Sequence, residues 1–256
     1  MSFRVYWQPG CTSCLRTKEF LSQHGVAYES VNVRATPGAM EELAAFGLRS
    51  VPAVSDGERA IYAQEIREVA DFVGIPFDQS ALPPGELINR LDLILSAADR
   101  YLGQLPESSI DDRLPGRNRS WRDLGYHLFV IVQGFLDAAR GGELTEEHFL
   151  RKPPPEVASF ADCAAFGAGV RAELGDWWRS VGQRLPAEVS TYYGQQAAHT
   201  VLERSCWHVA QHVRQLMALL EIAGIAPDQP LGPAELAGLP LPEKVWDSEV
   251  PLDSPG

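Results

Sequence analysis

Cys11-Thr12-Ser13-Cys14, set between a short apolar run and the start of a helical pattern, constrains this chain more than any other feature. Phe3-Arg4-Val5-Tyr6-Trp7 is rich in β-branched and aromatic residues and predicts a buried strand. Gln8-Pro9-Gly10 predicts a turn, and Leu15, Phe20 and Leu21 carry helical spacing over residues 15–24. The first cysteine then stands at a helix N-terminus, where unpaired N–H groups and the helix dipole stabilise a thiolate. Cys14 lies one turn further on, within reach to close or resolve a disulfide. The pattern points to thiol–disulfide exchange. A zinc half-site and a pair of inert core thiols are the blander readings. A zinc site needs two more ligands, and the neighbouring sequence offers only His24 at the far end of the helix.

Composition narrows the setting. The chain has 256 residues, enough for one large or two modest domains, and its 45% hydrophobic and 22% charged content is that of an ordinary globular protein. A net charge of −12 with no Lys/Arg cluster argues against a nucleic-acid partner. No run approaches the roughly 20 apolar residues of a membrane span, and no basic stretch followed by an apolar one marks a secretory signal. Besides the pair there are two isolated cysteines, Cys163 and Cys206, which do not make a secreted disulfide framework. The expected setting is a reducing cytoplasm, with no membrane partner.

The pattern changes once along the chain. Residues 1–75 alternate strand and helix signals, whereas from residue 86 onward the periodicity is helical. Residues 76–85, with Pro76 and Ala81-Leu82-Pro83-Pro84-Gly85, predict a Pro-rich linker that cannot continue a helix. Within 1–75 the predicted order is β-α-β-α-β-β-α: a second strand over 27–33, a helix over 37–46 ended by Gly47, Ser50-Val51-Pro52-Ala53-Val54, a strand through Ile61 and a helix over 64–73. A C-x-x-C after the first strand and a Val-Pro before the third resemble the glutaredoxin branch of the thioredoxin fold. That resemblance implies a cis Val51-Pro52 bond lying against the Cys11 sulfur, with Val51 backbone groups pairing with a substrate thiol. Two stretches depart from glutaredoxins. Ile61-Tyr62-Ala63-Gln64-Glu65 replaces the usual glycine turn and acidic residue, and Thr12-Ser13 replaces a Pro-aromatic pair and looks more like the C-T-S-C of arsenate-reductase-like and redox-regulator folds.

Four amphipathic segments follow, at residues 86–105, 120–139, 160–181 and 195–223, and a Pro- and Leu-rich stretch over 227–256 predicts an extended tail laid over the surface. Ser120 with Asp123 three residues on predicts a helix cap, and Leu202, Cys206, Val209, Val213, Leu216 and Leu220 form the strongest apolar stripe. Cys163, Cys206, Trp177 and Trp178 read as core. His208 and His212 are four apart and share one helical face, and His127 stands next to the apolar stripe of its own helix. Three neutral imidazoles with an open fourth position would make a catalytic rather than a closed metal site. Periodicity equally allows a hydrogen-bonded core His127 and a partly exposed His208/His212 pair, which lies roughly 100° around from the stripe. His148, read in a loop, and His199 look peripheral.

Trp121-Arg122-Asp123-Leu124-Gly125-Tyr126-His127 and Trp207-His208-Val209-Ala210-Gln211-His212-Val213-Arg214-Gln215-Leu216 resemble the DinB-like superfamily over residues 86–226. The resemblance implies an antiparallel four-helix bundle whose metal ligands are His127, His208 and His212. It also implies a divalent metal, zinc or nickel, and a low-molecular-weight thiol as co-substrate of an S-transferase or isomerase. The expected whole is a glutaredoxin-like α/β domain followed by an all-α bundle. Cys11 attacks and Cys14 resolves a mixed disulfide formed by the thiol or the substrate. The competing reading is a redox or metal sensor whose bundle is a regulatory or dimerising scaffold, and a homodimer through the bundle fits either. A third has the first domain alone act as an electron donor to a reductase. Arg122, Arg214 and Gln215 are candidates for orienting an anionic thiol, and equally for surface roles or for supporting the histidines from behind.

Overall fold

The computed structural model describes residues 2–77, 80–115 and 118–247, so residues 78–79 of the expected linker and 248–256 of the expected tail lie outside the described residues. The chain divides into two compact units. One comprises the residues up to Ser80, those around Pro115–Asn118 and the stretch from Pro242. The other comprises residues 81–114 and 119–241.

The first unit has the strand–helix order expected from the sequence: β1 (Phe3–Trp7), α1 (Thr12–Gln23), β2 (Tyr28–Asn32), α2 (Ala39–Ala45), β3 (Ala53–Ser55), β4 (Ala60–Tyr62) and α3 (Ile66–Val73). The sheet runs β2-β1-β3-β4, with β2 parallel and β3 antiparallel to β1, and β4 antiparallel to β3. Alternation along β1 assigns the two faces. Val5 pairs with Val54, and both join Phe20 and Leu21 of α1 and Ile66, Val69 and Ala70 of α3. Tyr6 pairs with Ala53, and both join Ala39 and Leu43 of α2 on the opposite face. A one-residue slip of β1 would exchange these sets, so burial on both faces locks the register and with it the position of the turn carrying Cys11. The C-terminal stretch of this unit is held on α1. The Glu19 carboxylate accepts the backbone N–H groups of Glu243 and Lys244 at 2.6 and 3.1 Å. The Lys18 ammonium lies 3.1 Å from Asp247 and 3.7 Å from the centre of the Trp7 ring.

The second unit contains α4 (Pro84–Gln104), α5 (Trp121–Ala139), β5 (Glu143–Leu144), α6 (Glu147–Leu150), α7 (Phe160–Ser180), β6 (Glu188–Thr191), β7 (Gly194–Ala197), α8 (Ala198–Ile222) and α9 (Pro233–Leu236). The region is mostly helical. Each of α4 and α5 packs mainly against α7 and α8. Ser120 and Asp123 form a reciprocal capping box on α5, and Ser159 and Asp162 form another on α7, so each helix begins where its sequence can satisfy the orphan N–H groups.

Four details differ from the sequence reading, the first being that the stretch expected as an extended tail contains the short helix α9 (Pro233–Leu236). Pro83-Pro84-Gly85 does not stand clear of the helix: Pro84 is its first residue, where the missing N–H costs nothing and the fixed φ fits. Helix α8 begins three residues later than the periodicity suggests, because Gly194–Ala197 pairs with β6. That pairing makes a β5-β6-β7 sheet that helical periodicity does not reveal. His148 is buried rather than peripheral: its Nε2 lies 3.0 Å from an Asp137 carboxylate oxygen, and its Nδ1 accepts the Thr145 N–H at 3.1 Å.

The α5–α7 contact rests on a missing side chain. A Cβ at Gly167 would lie 2.1 Å from Cζ of Phe129, which is itself buried, whereas at Gly169 nothing lies within 4 Å. Gly167→Ala is expected to destabilise the helical unit by about 1–3 kcal/mol through overpacking. Gly169→Ala is expected to be neutral or stabilising by roughly 0.5–1 kcal/mol through helix propensity. Urea denaturation of both variants checks the contrast, and equal midpoints would contradict this account of the contact.

Candidate functional site

In the first unit, β1 delivers the chain to the turn and Cys11 becomes the N-cap of α1. Its backbone is extended, and its sulfur accepts the N–H of Cys14 at 3.1 Å. A sulfur in that position takes one of the orphan N–H donors and lies at the positive end of the helix dipole, the arrangement that favours a thiolate. Cys11 and Cys14 are joined in a disulfide, their Cα atoms 5.1 Å apart. Cys11 is partly accessible while Cys14 is fully buried.

The Val51-Pro52 peptide is cis. The Pro52 carbonyl accepts the N–H of Ala63 at 2.9 Å, and the Ala63 carbonyl lies 3.2 Å from the hydroxyl of Thr17. That hydroxyl also lies 3.0 Å from the Ser13 carbonyl, so its one proton serves two carbonyls. The fully buried Thr17 thus ties the C-x-x-C turn of α1 to the Val51-Pro52 loop through Ala63. In the sequence Thr17 carries no signal beyond its place one helical turn after Ser13.

In the second unit, α5 supplies His127 and α8 supplies His208 and His212. All three are buried, and one ligand nitrogen of each lies within 4.8 Å of the others. It is the one such His/Cys/Asp/Glu group among the described residues. Ring centres are 6.1 Å apart for His127 and His208, 5.2 Å for His127 and His212, and 4.8 Å for His208 and His212. The His208/His212 pair is not at the surface because α8 is packed on more than its heptad stripe. Contacts with α5, β6 and β7 cover the other face. Nδ1–H of His212 donates to the Gln215 carboxamide oxygen at 2.7 Å, which fixes the tautomer and puts the ring lone pair on Nε2. Phe149 of α6 stacks on His208 at 6.0 Å and meets His127 edge-on at 6.4 Å, and the Trp207 ring lies 5.5 Å from His208.

The donor chemistry suits a divalent cation. Imidazole–metal bonds of about 2.0–2.1 Å in tetrahedral coordination place two donor nitrogens about 3.4 Å apart. Nitrogens within 4.8 Å of one another therefore have to close by up to about 1.4 Å. The histidines and the disulfide belong to different units. Arg214 donates to Gln211 Oε1 at 2.7 Å, and Arg122 lies 3.6 Å from Asp111. Of the three residues expected to orient an anion, Gln215 is hydrogen-bonded to His212. Cys163 and Cys206 take no part: the first contacts the Arg122 carbonyl and the second the Leu87 carbonyl. No described helix is long and apolar enough to cross a membrane.

Comparison with known proteins bears on the first unit. A family model described as Glutaredoxin matches residues 3–61. The glutaredoxin-like protein NrdH of Salmonella typhimurium strain LT2 is 36% identical over 58 residues, which is 23% of this chain and 72% of that protein. NrdH of Escherichia coli K12 is 34% identical over the same shares, and NrdH of Lactococcus lactis subsp. lactis is 27% identical over 66 residues, 26% of this chain and 92% of that one. A solved glutathione S-transferase from Xanthobacter autotrophicus Py2 aligns over 91% of this chain and 98% of its own at 19% identity. Its TM-score is 0.30, and that likeness carries no argument.

Burial holds the Cys163 thiol up at about 12, and it raises the Cys206 thiol as well. Raised thiols stay protonated from pH 7 to 9, so raising the pH over that range does not activate them in the folded chain. After reduction, iodoacetamide should alkylate Cys11 at least about 100-fold faster than either, and denaturation should remove the difference. Mass spectrometry of the labelled peptides reads the result. Native-state labelling of Cys163 that climbs with pH in step with Cys11 would contradict the buried placement.

Proposed function

We propose, from the premise that this chain belongs to the glutaredoxin family through residues 3–61, that it is a two-site thiol enzyme. A dithiol–disulfide exchange domain serves a metal-dependent helical domain that uses a low-molecular-weight thiol as transferase or isomerase. The observation that carries the second half is the convergence of three buried imidazoles from α5 and α8 within 4.8 Å. The resemblance of the two histidine-bearing segments to DinB-like proteins is its support from sequence.

Cys11 attacks a disulfide sulfur of the substrate, forming a mixed disulfide and expelling one thiolate. Cys14 then attacks the Cys11 sulfur, releases the second thiol and leaves the Cys11–Cys14 disulfide. Two electrons pass to the substrate, and an external dithiol reductant resets the pair. Val51 and Pro52 are the docking edge for the incoming disulfide, held in register with the cysteines through Ala63 and Thr17.

In the helical unit His127, His208 and His212 would hold the metal. A divalent cation there, zinc or nickel, would supply a Lewis acid that lowers the pKa of a bound thiol toward neutrality. Gln215 keeps His212 in the tautomer that presents Nε2, and Phe149 and Trp207 form an apolar wall that limits access of water to the imidazoles. The reaction class is transfer of the thiol to an electrophile, or isomerisation of an activated double bond. Placing both sites on one chain raises the local concentration of each near the other, often into the millimolar range for short linkers.

Two measurements test the halves separately. Stripped full-length protein reloaded with zinc or nickel should hold about one ion per chain, fall well below that in His127→Ala and His208→Ala, and bind about 10–100-fold more weakly in Gln215→Leu. Unsubstituted protein without bound metal after reloading would overturn the metal-dependent half and favour a redox sensor on a helical scaffold. Reduction of bis(2-hydroxyethyl) disulfide should be abolished by Cys11→Ser, while Cys14→Ser should accumulate the mixed disulfide. Unchanged turnover in Cys11→Ser would overturn the redox half.

A further inference from the structure

The segment that follows Leu241 lies along α1, the helix that carries the disulfide, and neither half of the proposed function uses it. Gln23 Nε2 donates to the Glu243 carboxylate at 3.0 Å, and the Glu19 carboxylate accepts the N–H groups of Glu243 and Lys244. Further along, both oxygens of the Asp247 carboxylate accept from the Lys18 ammonium, at 3.1 and 3.4 Å. The segment therefore runs from the far end of α1 toward its cysteine-bearing end. The side chains of Lys18 and Asp247 are 5% and 6% exposed. Opposite charges held away from water in this way interact more strongly than a surface pair, and salt screens them little.

Lys18 also stands on the row of the disulfide. Cys11, Cys14 and Lys18 are spaced i, i+3 and i+7, so they share one stripe of α1. A long helical side chain leans back toward the helix N-terminus, which carries the ammonium toward the cysteines. Trp7 receives it there, with the ammonium 3.7 Å from the ring centre. Trp7 is the last residue of β1 before the cysteine turn, and alternation from Val5 puts it on the strand face that α1 covers. Arg16, the other cation in the first two turns of α1, stands about 200° around the helix from Cys14.

Charge gives the contact its role. An ammonium beside a dithiol favours the thiolate, and a carboxylate bonded to that ammonium cancels most of the effect. We infer that residues 243–247 form an electrostatic brake on the dithiol: Asp247 withholds the Lys18 charge from Cys11, and release of the segment restores it. The inference rests on the reading of Cys11 as the attacking thiolate. It adds a control supplied by the chain's own C-terminal segment.

The test uses full-length protein, reduced and freed of reductant, and follows iodoacetamide alkylation of Cys11 at pH 6 by mass spectrometry. Asp247→Asn should react about 3–5-fold faster than unsubstituted protein, while Asp247→Glu, which keeps the charge, should match it. In a Lys18→Met background, Asp247→Asn should change the rate by less than about twofold, because the charge it would unmask is gone. At pH 9, where the thiol is ionised in every variant, the gain should disappear. Arg16, Glu19 and Glu65 keep their charges throughout, and circular dichroism confirms that each variant folds. A gain that survives in Lys18→Met, or at pH 9, would mean that the segment only shields Cys11 from the reagent, and would overturn the brake. Equal rates for Asp247→Asn and unsubstituted protein at pH 6 would overturn it too and leave the exchange chemistry standing. If Cys11 of unsubstituted protein reacts no faster than Cys163, the thiolate reading fails and the brake fails with it.

Discussion

Burying three imidazoles in one helical interior is the constraint on which the rest of the second unit depends. Each neutral ring carries one N–H and one lone pair, and neither can be left to a dry interior without cost. The chain meets that demand locally at His212, where Gln215 takes the Nδ1 proton. The rings also pack against one another, edge and face, beside Phe149 and Trp207. Helix α5 must therefore cross α8 where His127 faces the His208/His212 row. Small residues such as Gly167 let α7 close against α5 and hold that crossing. An apolar triplet of similar volume would pack with less polar cost, so keeping imidazoles here points to a task beyond packing.

The first unit is organised by a different demand. Its central strand is buried on both faces, and the alternation Val5, Tyr6 fixes which helices cover which side. That fixes the end of β1, and the end of β1 fixes Cys11 at the helix N-cap. Chemistry and fold are linked through main-chain geometry. A sulfur at the cap satisfies a helix donor, and the same donor stabilises its thiolate form. Thr17 and Ala63 extend that link across to Pro52, so the C-x-x-C turn and the Val51-Pro52 loop share one hydrogen-bonded chain.

How much of this was legible in the sequence follows from how local each feature is. The strand–turn–helix around Cys11, the strand–helix order of the first unit and the Ser120/Asp123 cap depend on neighbours within a few residues, and they were readable. The β5-β6-β7 sheet was not, because Glu188–Thr191 and Gly194–Ala197 are short and gain their strand character from pairing with each other and with Glu143–Leu144. Helical spacing put His208 and His212 on one face but left open whether that face was wet. Only the packing of α5 and the small sheet against α8 buries it. His148 was misjudged for the same reason, since its partner Asp137 lies back along α5.

The most direct test of the central claim is an X-ray absorption spectrum at the zinc edge of full-length protein reloaded with zinc and given no added thiol. The account predicts a first shell of nitrogen or oxygen at about 2.0–2.1 Å with the outer-shell scattering of imidazole, and its loss in His127→Ala. A first shell dominated by sulfur at about 2.3 Å would put the ion on cysteine instead and would contradict the account.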